Sequence, residues 1–125
     1  MDNTITIHDL KKKVQNFCEE REWDCFHNPK DLAIGISTEA NELLEIFRFK
    51  SSEQMVEMFR DDITKTHIEE EIADVLFFVL RFAQMNHLDL EECIDDKLQK
   101  NTKKYPVEKS RGNNLKYNER NEYFG

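Results

Sequence analysis

Glycine and proline are scarce, with three and two among 125 residues. These residues interrupt helices and build tight turns, so their shortage speaks against a hairpin-rich sheet protein and for long helices. No apolar run approaches the length of a membrane span. The opening segment, MDNTITIHDLKKK, has no apolar stretch of the signal-peptide kind. A soluble, cytoplasmic protein without a membrane partner is the expectation. Cysteine is sparse as well. Cys18, Cys25 and Cys93 are odd in number and not closely spaced, which suits neither a disulfide framework nor a zinc site and reads as reduced, packed thiols. Positive charge is in deficit: 18 Lys and Arg face 26 Asp and Glu, for a net charge of −8. That balance argues against tight binding of duplex nucleic acid, whose backbone needs clustered cations. It leaves room for a small phosphorylated ligand, because a divalent cation reverses the local sign of an acidic site.

What is abundant is helix-forming charge, Asp, Glu, Lys and Arg making up 35% of the chain. The length suits one domain, residues 1–125, able to bury a core without disulfides or a structural metal. The fold expected is all-α, a bundle of four to five helices. Thr6 and Asp9 stand in a capping arrangement before Leu10, Val14 and Phe17, placing a first helix from about Thr6. Asn28–Pro29 is a cap followed by a first-position proline, so a second helix runs from there to about Phe49. A short helix from Glu53 to Phe59 and a turn near Asp61–Thr64 precede a third long helix, about Thr66 to Asn86. Asp89 and Glu92 cap a further helix from Leu90 to about Lys104, which Pro106 stops. Residues 107–125 form a polar tail of low periodicity, disordered or ordered by a partner or ligand. Val75–Leu80 is continuously apolar, and a helix apolar nearly all round is buried on several sides. A chain of this size barely surrounds such a helix, so a homodimer or homotetramer is expected.

Helical spacing puts two acid pairs where acids are out of place. Glu39 and Glu42 share a face with Leu32, Gly35, Leu43 and Ile46, and Glu71 and Asp74 share one with Val75, Phe78 and Phe82. Isolated carboxylates on apolar stripes are costly, and four that converge repel. A hard divalent cation resolves both problems, and an oxygen-only donor set suits Mg²⁺, with Mn²⁺ as a substitute. A di-iron carboxylate bundle would carry a His three residues after a ligand Glu; here Asp74 and Glu42 stand at those positions. Taken alone, the pairs read equally well as solvated surface charge. Downstream, Lys97, Asn101 and Lys104 lie along one helical face with Tyr105 beyond, a set able to meet phosphates, or simply cations complementing a helix C-terminus.

Together these residues resemble the MazG-like all-α nucleoside triphosphate pyrophosphohydrolases, and within them the dCTP pyrophosphatase branch. The resemblance rests on Glu39-Ala-Asn-Glu42 and Glu71-Ile-Ala-Asp74, on the segment from Glu22 to Leu32, and on Lys97 to Pro106 followed by Arg111 and Lys116-Tyr117. It implies an oligomeric helical bundle, a dimer or a dimer of dimers. It implies Mg²⁺-dependent cleavage of a (deoxy)nucleoside triphosphate to the monophosphate and pyrophosphate. By position, Glu39, Glu42, Glu71 and Asp74 would be the catalytic metal ligands, Lys97, Asn101 and Tyr105 would meet phosphates or sugar, and Trp23 and His27 would lie near the base. The branch usually has Trp at Phe49 and Tyr at Phe78, positions touching base or sugar; Phe keeps the stacking surface and loses the polar handle. Rival readings are a dUTPase-like or phosphoribosyl-ATP-cleaving member, or a non-catalytic helical interaction module.

Overall fold

The computed structural model describes residues 1–115, so Lys116 and Tyr117 of the expected C-terminal signature lie outside the described residues. The described chain is helical, without a strand: α1 (Ile7–Glu20), a 3₁₀ turn (Asp24–Phe26), α2 (Pro29–Phe47), α3 (Ser52–Met58), α4 (Asp62–Met85), α5 (Leu90–Lys104) and α6 (Val107–Ser110). The all-α expectation holds, and none of these helices is long and apolar enough to cross a membrane.

Local chemistry sets the boundaries. Thr6 and Asp9 form the full capping box, with Thr6 Oγ1 accepting from the Asp9 amide at 3.1 Å and the Asp9 carboxylate accepting from the Thr6 amide at 3.0 Å. Asn28 Oδ1 accepts from the Asp31 amide at 2.9 Å, and Pro29 follows as the first helical residue. Ser51 and Gln54 form a second reciprocal box, starting α3 at Ser52, one residue before the expected Glu53.

Three further boundaries differ from expectation. α2 ends at Phe47, and Phe49 lies beyond it with φ +65°, a left-handed conformation that stops a helix. α4 begins four residues before Thr66, because Asp61 is a cap rather than part of a turn: its carboxylate accepts from the Thr64 amide at 2.9 Å and from the Thr64 hydroxyl at 2.6 Å. After Pro106 the chain makes one more helical turn, α6, where low periodicity suggested none.

The described chain divides into two compact units, Met1–His87 and the residues from Leu88 onward. In the first unit α4 packs mainly against α2 and also against α1. Its buried side chains are Cys18, Leu32, Ile68, Leu80 and Ala83, together with one charge, Arg81. In the second unit α5 exposes Ile94 and Leu98, one turn apart. α4 is less enclosed within the protomer than its apolar run suggests, since Ile72 is 50% and Leu76 45% exposed, one turn apart on a single face.

The α2–α4 contact is closest at Gly35, under the ring of Phe78. A Cβ built on Gly35 would come within 2.6 Å of Phe78 Cδ1 and Cε1 and 2.9 Å of Cγ. Glycine costs about 1 kcal/mol relative to alanine inside a helix, so the close approach is what gives Gly35 its use. Gly35→Ala is therefore expected to lower stability by about 1–3 kcal/mol in urea or thermal unfolding, against the stabilisation that helix propensity alone would give. The double variant Gly35→Ala/Phe78→Leu should recover part of the loss. A Gly35→Ala protein more stable than the parent would refute this account of the packing.

Candidate active site

The Gly35–Phe78 contact sets the register of the acids. One turn beyond Gly35 along α2 comes Glu39, and one and two turns before Phe78 along α4 come Asp74 and Glu71. The two helices thus run antiparallel and bring the acid pairs to the same level. One carboxylate oxygen from each of Glu39, Glu42 and Glu71 lies within 4.8 Å of the others. Asp74 stands outside that trio, though its charge acts on both Glu39 and Glu71.

The electrostatics of this cluster are unfavourable without a positive charge. Burial pushes the Glu39 carboxyl up to about 7, assisted by hydrogen bonding with and repulsion from Glu42 and by the charges of Asp74 and Glu71. Burial also raises Glu71, with Glu42 and Asp74 adding to it and His67 opposing. His67 Nε2 lies 3.4 Å from Glu71 Oε1 and is itself largely exposed. The other oxygen of Glu71 and Oε2 of Glu39 are buried with no hydrogen-bond partner. Buried polar atoms in folded proteins are almost always paired, so two orphaned oxygens beside a third carboxylate mark a missing partner. Carboxylates accept and do not donate when ionised. What satisfies all three is a cation, and the oxygen-only donor set fits a hard divalent ion. The trio could hold such a metal; so could Asp74, from its place one turn along α4.

The residues expected near a base fall at two places in the first unit. Trp23 and His27 flank the 3₁₀ turn, their rings edge to face at 6.0 Å. Trp23 also meets Phe17, which meets Phe77, which meets Phe78, all edge to face at 5.3–5.9 Å. An aromatic train thus joins the turn to the residue that packs on Gly35. Phe49 stands apart, 91% exposed, with the Arg48 guanidinium 4.8 Å from its ring centre. A bulky side chain held both at positive φ and in solvent is a strained arrangement of the kind found at functional sites. Lys97, Asn101 and Tyr105 belong to the second unit. Lys97 and Asn101 lie one turn apart on α5, and the Tyr105 amide closes the helix by donating to the Asn101 carbonyl at 2.7 Å.

Arg81 was missed in the sequence. It is fully buried on α4, where Nε donates to His27 Nδ1 at 2.9 Å, Nη1 donates to Gln84 Oε1 at 2.6 Å, and Nη2 pairs with Asp24. The available signal was its isolation: it is the single charge between Val75 and Met85. A lone cation in an apolar run needs a partner, but the partner is 57 residues away in sequence, and helical periodicity does not reach that far.

The MazG-like family model matches residues 34–119, which include both acid pairs and the Lys97–Tyr105 segment. dCTP pyrophosphatase 1 of Mus musculus is 32% identical over 112 residues, covering 90% of this chain and 66% of that protein. The Homo sapiens protein of the same name is 28% identical over 114 residues, covering 91% of this chain and 67% of its own. The chain thus spans about two-thirds of the length of these relatives. The crystal structure of a pyrophosphatase from Archaeoglobus fulgidus superposes with a TM-score of 0.73 at 38% identity, covering 79% of this chain and 91% of that one. The chain belongs to the MazG-like family.

Proposed function

We propose that this protein hydrolyses (deoxy)nucleoside triphosphates to the monophosphate and pyrophosphate in a Mg²⁺-dependent reaction, acting on dCTP or a related or modified pyrimidine nucleotide in cleansing the nucleotide pool. The observation that carries the reading is the trio Glu39, Glu42 and Glu71 with its two orphaned buried oxygens. Similarity to dCTP pyrophosphatases and to the archaeal pyrophosphatase supports the reaction class. Glu39, Glu42, Glu71 and Asp74 would hold the metal. When bound, the ion supplies charge neutralisation of the triphosphate and polarisation of the phosphorus under attack.

The chain's own residues do the rest. A carboxylate of the Glu39–Glu42 pair takes a proton from the attacking water. Lys97 and Asn101 bind phosphate oxygens, with Lys97 meeting the charge that develops on the departing pyrophosphate. Tyr105 contacts phosphate or sugar. Trp23, Phe49 and Phe78 offer stacking surfaces, and His27 a polar contact to the base. A homodimer, or a dimer of dimers, would cover the apolar Ile72–Leu76 face of α4. Light scattering at micromolar concentration should accordingly give a multiple of the 15.0 kDa protomer mass, and a monomer would refute it.

Pyrophosphate release from a panel of dNTPs and NTPs should require Mg²⁺, cease with EDTA, and favour a pyrimidine deoxynucleotide. Glu42→Gln should reduce that rate by at least about a hundredfold while leaving the helical circular dichroism unchanged. Release from no nucleotide by folded protein would reject the enzyme in favour of an interaction module, and a Glu42→Gln variant with most of its activity would reject the assigned role.

The raised carboxyls also give stability a pH dependence of definite sign. Glu39 binds its proton more tightly folded than unfolded, where the ordinary value of 4.5 applies. The protonated form is therefore the stabilised one. Its contribution is fully present below about pH 4.5 and is lost as pH rises through about 7, with Glu71 acting in the same direction. Asp9 and Asp61, lowered by their capping hydrogen bonds, act oppositely but only at pH values below the ordinary carboxylate range. EDTA-treated protein should thus lose thermal stability from about pH 5 to pH 8, and Mg²⁺ should restore it most at the upper end. Equal melting temperatures across that range, with and without Mg²⁺, would contradict the cluster's electrostatics.

A further inference from the structure

The residues around the acid trio do not use Arg81, the most deeply buried charge among the described residues. Burying a guanidinium costs several kcal/mol unless its donors are matched. Here they are: three of its nitrogens reach His27, Gln84 and Asp24. The matching has a chemical consequence for His27. A guanidinium N–H can only donate, so Nδ1 of His27 must present its lone pair. A neutral imidazole whose Nδ1 accepts carries its proton on Nε2. Nε2 makes no hydrogen bond to any described residue. The Trp23 indole, 37% exposed, stands edge to face with the imidazole. A fixed donor next to a partly open aromatic ring is what recognises a flat heterocycle with an acceptor on its edge.

We propose that Arg81 is a positioning residue that holds His27 as its neutral Nε2–H tautomer, making His27 an obligatory hydrogen-bond donor to a carbonyl or ring-nitrogen acceptor of a nucleobase lying beside Trp23. The inference rests on the nucleotide reading above and adds to it a residue and a selection rule. A base edge that offers an acceptor is accepted, and one that offers only an amino group meets a donor facing a donor. The charges around the ring act together. From α4, Arg81 opposes protonation of His27, adding to the effect of burial; from the 3₁₀ turn, Asp24 favours it but is engaged by Arg81. From α1, the Cys18 thiol lies within the field of both Arg81 and Asp24 and is raised by burial, so it stays neutral. His27 thus titrates below the ordinary histidine range, and the donor form persists through neutral pH.

The test reads the tautomer directly. Long-range ¹⁵N–¹H correlation spectra of the imidazoles in EDTA-treated protein should show His27 protonated at Nε2 and unprotonated at Nδ1 from about pH 6 to pH 8. An Nδ1–H tautomer, or a mixture, in the wild-type protein would overturn the proposal. Arg81→Met keeps the length of the side chain without stranding Asp24, which is 55% exposed. In that variant His27 should sample both tautomers and titrate nearer the ordinary range; an unchanged Nε2–H tautomer would remove Arg81 from the account. His27→Phe, which keeps a ring and deletes the donor, provides a second measurement that does not depend on the Arg81 variant folding. Its affinity for deoxycytidine monophosphate should fall about tenfold, the loss of one hydrogen bond, and an unchanged affinity would overturn the donor role. None of these readouts uses turnover. Absent pyrophosphate release with the tautomer and binding results intact would sink the hydrolase reading alone.

Discussion

The first unit depends on how near α2 can come to α4. Side-chain oxygens from two helices converge only if the backbones approach closely and in one register. Gly35 permits the approach, and the ring of Phe78 occupies the space that any larger side chain would need. That single contact fixes which residues face each other one and two turns away. Glu39 and Glu42 on one helix meet Glu71 on the other because their distances from the Gly35–Phe78 level match, in opposite chain directions. A shift of one residue along α4 would rotate Glu71 by about 100° and dissolve the trio. The packing stabilisation at Phe78 therefore holds together carboxylates that would otherwise repel, and burial, with their repulsion adding to it, raises the proton affinity of Glu39.

Much of this arrangement was legible in the sequence, and for identifiable reasons. Caps are local chemistry: Thr6 with Asp9, Asn28 with Pro29 and Asp89 before Glu92 each act within four residues, so pattern and structure agree. The acid pairs were legible because three- and four-residue spacing places side chains on one helical face, and a carboxylate on an apolar face is anomalous wherever it occurs. The start of α4 was misread because Asp61, Asp62 and Thr64 are equally at home in a turn or at a helix N-terminus. The Asp61 carboxylate decides the matter by satisfying two Thr64 donors at once. The end of α2 was misread because nothing in Arg48–Phe49 announces a left-handed backbone; an aromatic residue pays strain there that only surrounding structure can hold. The tertiary pairing of Arg81 with the 3₁₀ turn was illegible for a different reason. Each partner is unremarkable alone, and their pairing is a property of the α1–α4 and α2–α4 packing.

Once Arg81 is included, α4 carries an ordered series along one face. Glu71, Asp74, Phe78 and Arg81 follow at spacings of three, four and three residues, so they lie in one stripe about 15 Å long. The acids stand toward the N-terminal half, the aromatic ring lies in the middle, and the cation stands toward the C-terminal half. Carboxylates are favoured near the positive end of a helix dipole and cations near the negative end, but the acids sit two or more turns from the N-terminus of α4, where that effect has faded; Arg81 alone stands within about one turn of the C-terminus. The placement of the acids must answer to local partners instead, and Arg81 has such partners as well. At one end the partner is missing, since Glu39 and Glu71 keep orphaned buried oxygens. At the other it is present, since Asp24, His27 and Gln84 engage all three nitrogens of the guanidinium.

That asymmetry separates binding from scaffolding on a single helix. Arg81 is fully buried and each of its three nitrogens is engaged within the chain, so it is not placed to meet a phosphate, however favourable its charge. Its influence passes through the groups it holds, among them His27, whose Nε2 makes no hydrogen bond to a described residue. A cluster whose buried oxygens are incomplete has the opposite character: it is destabilising without a positive partner, which is what suits it to the metal role proposed above. The same rule, that buried polar groups must be satisfied, thus assigns the two charged centres of α4 to different work. The acid end, under the proposed function, would take its partner from outside the chain. The basic end has been completed from within it, and by being completed it holds the turn carrying Trp23 and His27 against the helix that carries Glu71 and Asp74.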